Sequence, residues 1–224
     1  MIAATTGAPP LSAQGSEDDR TSYSAQGTRL NRRGLETRRH ILDVAVAVLA
    51  AGGPESASVN FIAREAGVTW GTIQHQFGDV DGVWAALLEH AREEARLRFP
   101  SSPTDSGSLR QRVTEVVDAG FTSHELASVR AIMNLRLALP RDPKTLEESY
   151  PAAAAALRAW VEDWANRWDD LFEGLGTSKV KMRRVRSLVP AAVRGLQLEQ
   201  EMTTFDDLED GRKGLIDAVV CYLE

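Results

Sequence analysis

A single cysteine, Cys221, stands in a chain of 224 residues, so no internal disulfide can brace the fold. The four histidines fall at no spacing that a zinc site needs. A metal-free fold with no cofactor, in a reducing compartment, is therefore expected. No apolar run approaches the roughly 20 residues of a membrane-spanning helix. The N-terminal stretch, with its Gly, Pro, Ser and Asp, lacks the apolar centre of a secretory signal. A cytoplasmic protein with no membrane partner is the expectation. No segment alternates apolar and polar residues with a period of two, which leaves an all-α fold class. No nucleophile stands beside a base in a recognisable set, so no catalytic residue is named and an enzyme is not expected. What the chain does have is 43% hydrophobic residues, enough to build cores without staples.

A formal charge of -6 argues against a general nucleic-acid binder. The charge is uneven, however. Between Arg29 and Gly78 six basic residues face four acidic ones, whereas from Asp79 onward 25 acidic residues outnumber 19 basic ones. A mildly basic module attached to an acidic body suits local contact with DNA while the bulk stays off the phosphates.

The chain divides at composition changes. Residues 1–28, rich in small and polar residues, read as a disordered tail. Residues 29–78 read as a small helical module, 79–99 as a connecting helix and 100–224 as a larger helical domain. A first helix carries Ile41, Leu42, Ala45, Val48 and Leu49 on one stripe and ends at Gly52-Gly53-Pro54. Ser58 caps a short second helix, Val59 to Ala66, and Thr69 caps a third that runs to about Gln76. Asp79 or Asp81 starts a fourth, which runs toward Pro100. Further helices are predicted at about 109–122, 125–139, 144–174, 178–202 and 206–223, with Pro100 to Ser108 as a loop. Pro151 and Pro190 fall inside helical patterns and predict a break or kink.

The segment SVNFIAREAGVTWGTIQHQF, Ser58 to Phe77, has the spacing of a helix-turn-helix: small Ala63 where two helices approach, Gly67 for the sharp turn, Val68 plugging the joint. Thr69, Trp70, Thr72, Gln74 and His75 then project from the second short helix. Such a helix fits the major groove, where Gln can bond adenine and Thr can bond bases or phosphates. Spacing alone equally permits two packing helices joined by a glycine.

At these residues the chain resembles the tetracycline-repressor family. RRHILDVAVA, Arg38 to Ala47, is similar to that family's first helix, and IAREAGVTWGTIQHQFGDVDGVWAALL to its helix-turn-helix and the start of its fourth helix. Arg194 to Leu196, RGL, and the downstream helices resemble its regulatory domain more weakly. The sequence departs from the family in two places, with Gln74 where a Tyr is usual and Val80 where a Lys is usual. Both usual residues are expected to hold phosphates. Thr37, Ser58, Arg64, Thr72 and the amides at the start of the fourth helix are the substitutes the sequence offers. Arg32 and Arg33, ahead of the first helix, can enter a minor groove or run along phosphates, although such a run is usually solvated surface.

The resemblance implies that residues 29–78 are a DNA-binding domain and 100–224 a regulatory domain for ligand binding and dimerisation, in a ligand-responsive dimeric repressor released from a palindromic double-stranded DNA operator by a small-molecule effector. Trp160, Trp164 and Trp168 share one helix face. That stripe is most often core; as a cavity wall it would suit an apolar or aromatic ligand. Arg130, Met133, Asn134 and Leu137, with Arg136, lie on a largely apolar helix, where a buried Arg needs either a ligand anion or, more commonly, an acid of the chain. Val185, Val189, Val193 and Leu196 on one terminal helix, and Leu215, Val219 and Leu223 on the other, form apolar stripes expected to pair with a second copy as a four-helix bundle. The rival expectation is a helical small-molecule-binding protein or enzyme whose N-terminal domain is vestigial.

Overall fold

The computed structural model describes residues 23–97, 107–202 and 207–224. Most of the expected tail, residues 1–22, the body of the expected Pro100–Ser108 loop and the start expected at Asp206 lie outside the described residues. Within them the chain forms ten α-helices and one isolated bridge, Tyr23 to Arg29. They are α1 (Arg32–Gly52), α2 (Val59–Glu65), α3 (Trp70–Phe77), α4 (Val80–Arg96), α5 (Leu109–His124), α6 (Ala127–Ala138), α7 (Pro143–Ser149), α8 (Pro151–Leu171), α9 (Lys179–Glu201) and α10 (Leu208–Leu223). No helix among the described residues is long and apolar enough to cross a membrane.

Side-chain caps set most helix starts. Asn31, Ser58, Thr69, Asp79, Ser108 and Asp142 each accept a hydrogen bond from a backbone amide two or three residues into the helix that follows. Each cap satisfies an amide that the helix itself leaves without a partner. The two internal prolines behave differently. Pro151 opens α8, since proline suits the first helical position, and so splits the long helix expected over 144–174 into α7 and α8. Pro190 lies inside α9 without ending it, because Val185, Val189 and Val193 are buried on both sides of it and hold the helix in place.

The helices build two hydrophobic cores. The first joins α1 to α4 but also takes Ala131, Ile132 and Leu135 from α6, and Ala153 and Ala156 from α8. The second consists of α5, the end of α8, α9 and α10: Val116 and Val117 pack with Trp168, Leu171, Val185, Val189, Val219 and Leu223. Helix α8 therefore enters both, at opposite ends. Buried Arg112 closes the second core at α8's C-terminus, donating to the Leu171 and Glu173 carbonyls at 2.7 and 2.8 Å.

That second core uses the residues expected to form a dimer seam. Val185, Val189, Val193, Val219 and Leu223 are all at most 4% exposed within the single chain. Leu196 and Leu215 are partly buried. The expectation overlooked α5 and the tryptophan end of α8, which cover those stripes from inside the same molecule. Val180, Leu188, Leu198 and Tyr222 are large apolar residues left outside on α9 and α10, at 47%, 55%, 55% and 39% exposure.

Candidate functional site

Helices α2 and α3 and the turn between them are held at every joint. Gly67 takes φ +64°, a conformation costly for any residue with a side chain, and Val68 donates back to the Ala63 carbonyl at 3.0 Å. Ile73 and Phe77 are buried under α3. Gly82, in the first turn of α4, lets that helix approach the end of α3 so closely that a Cβ there would meet the Phe77 carbonyl oxygen at 1.9 Å. Arg38 of α1 lies 4.3 Å from the Phe77 ring centre and donates to the Gln76 carbonyl. Burial holds its pKa below the ordinary value and the Glu89 carboxylate pulls it back, yet the guanidinium stays charged at neutral pH. The buried Gln76 side chain donates to the Gly34 carbonyl at 3.1 Å, and His40 meets the Ala66 carbonyl at 3.1 Å. Arg38 and Gln76 thus position α3 from behind, and His40 holds the end of α2. Sequence reasoning missed all three, because each acts across 26 to 42 residues of chain.

The other face of α3 is open. Trp70 is 39% exposed. Thr69 and Gln74 are exposed and Thr72 is partly so. The Thr69 hydroxyl caps α3 through the Thr72 amide and lies 3.1 Å from the Thr72 hydroxyl. His75 is half covered, its Nδ1 3.4 Å from the Gln26 side chain. Residues 23–28, read from sequence as part of a disordered tail, form a turn: Ser24 is buried, its amide donates to the Thr28 carbonyl at 2.8 Å, and its hydroxyl accepts from the Thr28 amide at 3.2 Å. Hydrogen bonds order this segment, which apolar composition could not reveal.

The expected phosphate contacts are placed as follows. Arg32 and Arg33 are exposed at the start of α1, Arg32 with Glu36 at 3.6 Å. An exposed pair of this kind contributes little and leaves the Arg available. Arg64 stacks over Phe61 at 4.8 Å and pairs with Glu65 at 3.6 Å. Ser58 spends its hydroxyl oxygen on the Phe61 amide and Thr37 donates to the Arg33 carbonyl. The α4 amides are less suited than expected, because Asp79 accepts from Gly82 there and brings negative charge. Val80 packs against the first core. Asp81, the alternative cap, instead accepts from the Ala152 and Ala153 amides at 2.8 Å each. This ties the start of α4 to the start of α8.

Behind the helix-turn-helix lies a cavity of about 470 Å³, lined from α4, α5, α6, α8 and α9. It sits where the two cores meet. Of the expected ligand residues, Met133, Trp160 and Trp164 line it. Trp168 does not: it is 1% exposed, stacked on Phe172 at 5.1 Å and tilted against Trp164 at 5.4 Å. Arg130 donates to the Glu125 carbonyl, Asn134 donates to the Leu49 carbonyl at 2.7 Å, and Leu137 is 58% exposed. Helix α6 meets α1 on one side and the cavity on another, so residues named as one group point three ways. Arg136, raised from sequence as an Arg that needs an anionic partner, lines the cavity together with Arg194, which sequence reasoning did not connect with a ligand. The embedding of Arg136 in an apolar helix was the available signal.

Comparison with known proteins agrees with this geometry. Residues 41–87 match the family model for bacterial regulatory proteins, tetR family. The chain is 33% identical over 94 residues to the HTH-type transcriptional regulator AcrR of Shigella flexneri, covering 39% of this chain and 43% of that one. It is 26% identical over 133 residues to the HTH-type transcriptional regulator BetI of Escherichia coli, covering 58% and 54%. The aligned region spans about half the length of these curated relatives. A transcriptional regulator from Rhodococcus sp. Rha1 shares the fold, with a TM-score of 0.61 at 19% identity over 83% of this chain and 95% of that one. The helix-turn-helix at residues 41–87 is therefore similar to that of the TetR family of bacterial regulatory proteins, and the fold as a whole is similar to that of a transcriptional regulator.

Proposed function

We propose that this chain is a dimeric transcriptional regulator that binds a palindromic operator through α3 and leaves it when a small molecule fills the cavity. The observation that carries the DNA half is the division of labour on α3. Ile73 and Phe77 hold the helix from inside, while Trp70, Thr72 and Gln74 stand outward with no part in the core. Gln74 matches an adenine edge, Thr72 a base or phosphate, and Trp70 a thymine methyl or the sugar-phosphate wall. Arg32, Arg33 and Arg64, with Thr37, Thr69 and His75 beside them, supply backbone contacts, and Ser58 contributes through the helix it caps.

Two copies related by a two-fold axis would present two such helices to half-sites about one turn of DNA apart. Leu188, Ala191, Gly195 and Leu198, spaced three and four residues apart on the outer side of α9, with Ala218 and Tyr222 of α10, support pairing with a second copy. Release follows from a population shift, in which a ligand that prefers one spacing of the two α3 helices lowers operator affinity by its differential binding. The Asp81 link and the Asn134 to Leu49 bond join the α6 and α8 walls of the cavity to α4 and α1.

Fluorescence anisotropy with the DNA upstream of the protein's own gene tests the reading. Specific binding that falls steeply with salt and is lost with competitor of the same sequence supports it. Weak, sequence-indifferent binding would instead support a helical ligand-binding protein with a vestigial DNA domain.

A further inference from the structure

The charge lining the cavity runs opposite to that of the protein. The chain carries a formal -6, yet the wall contains Arg92, Arg96, Arg136, Arg167, Arg186 and Arg194 against a single acid, Asp163. Most of these cations are already engaged. Arg167 pairs with Asp163 at 2.9 Å, Arg186 reaches Asp169 at 3.5 Å, Arg96 lies 3.9 Å from Glu93, and Arg92 also has a partner. Arg136 and Arg194 are different. Neither has a carboxylate within ion-pair distance among the described residues, and the two act on each other as like charges. Burial and the Arg136 charge both hold the pKa of Arg194 below its ordinary value, though not enough to discharge a guanidinium at neutral pH. A half-buried cation facing another cation is unfavourable unless something of opposite sign lies between them.

The same wall is otherwise apolar, with Trp160, Trp164, Ile132, Met133 and Leu157 facing the space. We propose that the cavity binds an organic anion, whose aromatic or branched apolar body lies against Trp160 and Trp164 and whose acid group is held by Arg136 and Arg194. A neutral ligand would leave half-buried Arg194 facing the like charge of Arg136 with nothing of opposite sign between them. A carboxylate or sulfonate accepts bidentate, charge-assisted bonds from them. A highly charged polyphosphate would match the two cations but not the indoles. The inference rests on the cavity being the effector site and names the chemistry of the effector.

Two dyes that share one body make the test. Anilinonaphthalenesulfonate carries a sulfonate; phenylnaphthylamine has the same fused and single rings without it. Both are titrated onto the full chain, with excitation of tryptophan and emission read from the dye, so that energy transfer reports binding and the arginine variants locate it. The wild-type protein should bind the sulfonate about tenfold or more tighter than the neutral dye. That preference should vanish in the Arg136→Gln, Arg194→Gln double variant while neutral-dye affinity holds. Should the double variant fail to fold, Arg136→Gln alone, on an exposed side chain, is expected to remove most of the preference. Equal wild-type affinity for both dyes, or an unchanged preference in the folded variants, overturns the anion assignment and leaves the cavity as a site for neutral ligands. Absence of energy transfer from either dye overturns the effector cavity itself.

Discussion

Trp70 and Gln74 stand outside the core, so if they read DNA as proposed, reading and folding should be separable. Replacing either by Ala should leave the melting temperature nearly unchanged while weakening operator binding by about 1 to 3 kcal/mol for a lost base contact. Differential scanning fluorimetry and anisotropy on the same samples check both halves, and wild-type operator affinity in both variants would place the reading surface elsewhere. Gly82 behaves in the opposite way. Its neighbour is the Phe77 carbonyl oxygen, 1.9 Å from where a Cβ would stand, and backbone cannot swing aside as a side-chain tip does. Gly82→Ala should push α4 away from the end of α3, costing on the order of 1 to 3 kcal/mol as overpacking does. A melting temperature equal to wild type would show that this approach is looser than the geometry implies.

Among the elements, α8 connects most. Its first turn packs in the core shared with α1 and α4, its middle carries Trp160 and Trp164 on the cavity wall, and its end closes the second core through Trp168 and Leu171. Asp81 anchors its N-terminus by two backbone amides, where a carboxylate also meets the positive end of the helix dipole. Asp81→Ala should cost about 1 kcal/mol of stability, as loss of a capping acid does. If this link carries the ligand's effect, the variant should also show a smaller change in operator affinity on ligand binding. Measuring operator affinity with and without a bound ligand, in wild type and variant, decides between a structural cap and a coupling element. Tyr150, which ends α7 and flanks α8, offers no side-chain cap of its own, which leaves that role to Asp81.

For the whole molecule, the two cores decide which substitutions report on assembly. Val219 and Leu223 look like seam residues on a helical wheel, yet both are buried in the second core. Val219→Asp should therefore unfold the chain, since an unpaired charge would be buried where no partner waits. Leu188→Glu with Leu198→Glu should keep the helical circular-dichroism spectrum and give a monomer by light scattering. A folded Val219→Asp monomer, or an unchanged dimer in the Leu188 and Leu198 variant, would each place the interface on another face.

Some of this was legible in the sequence and some was not, for one physical reason. Caps, turn glycines and short apolar stripes are local, so Ser58, Thr69 and Gly67 fixed the helix-turn-helix within a few residues of chain, and the all-α class followed from periodicity alone. The direction a helix face takes is different, because it depends on which partner arrives first. The stripes of α9 and α10 are equally good for a second copy or for α5. The tryptophans of α8 are equally good for a cavity or a core. Tertiary packing gave α9 and α10 to α5, and divided the tryptophans between both uses. The turn at Ser24 to Thr28, the Arg38 clamp on α3 and the facing pair Arg136 and Arg194 depend on contacts between distant segments, and the folded chain alone brings those segments together.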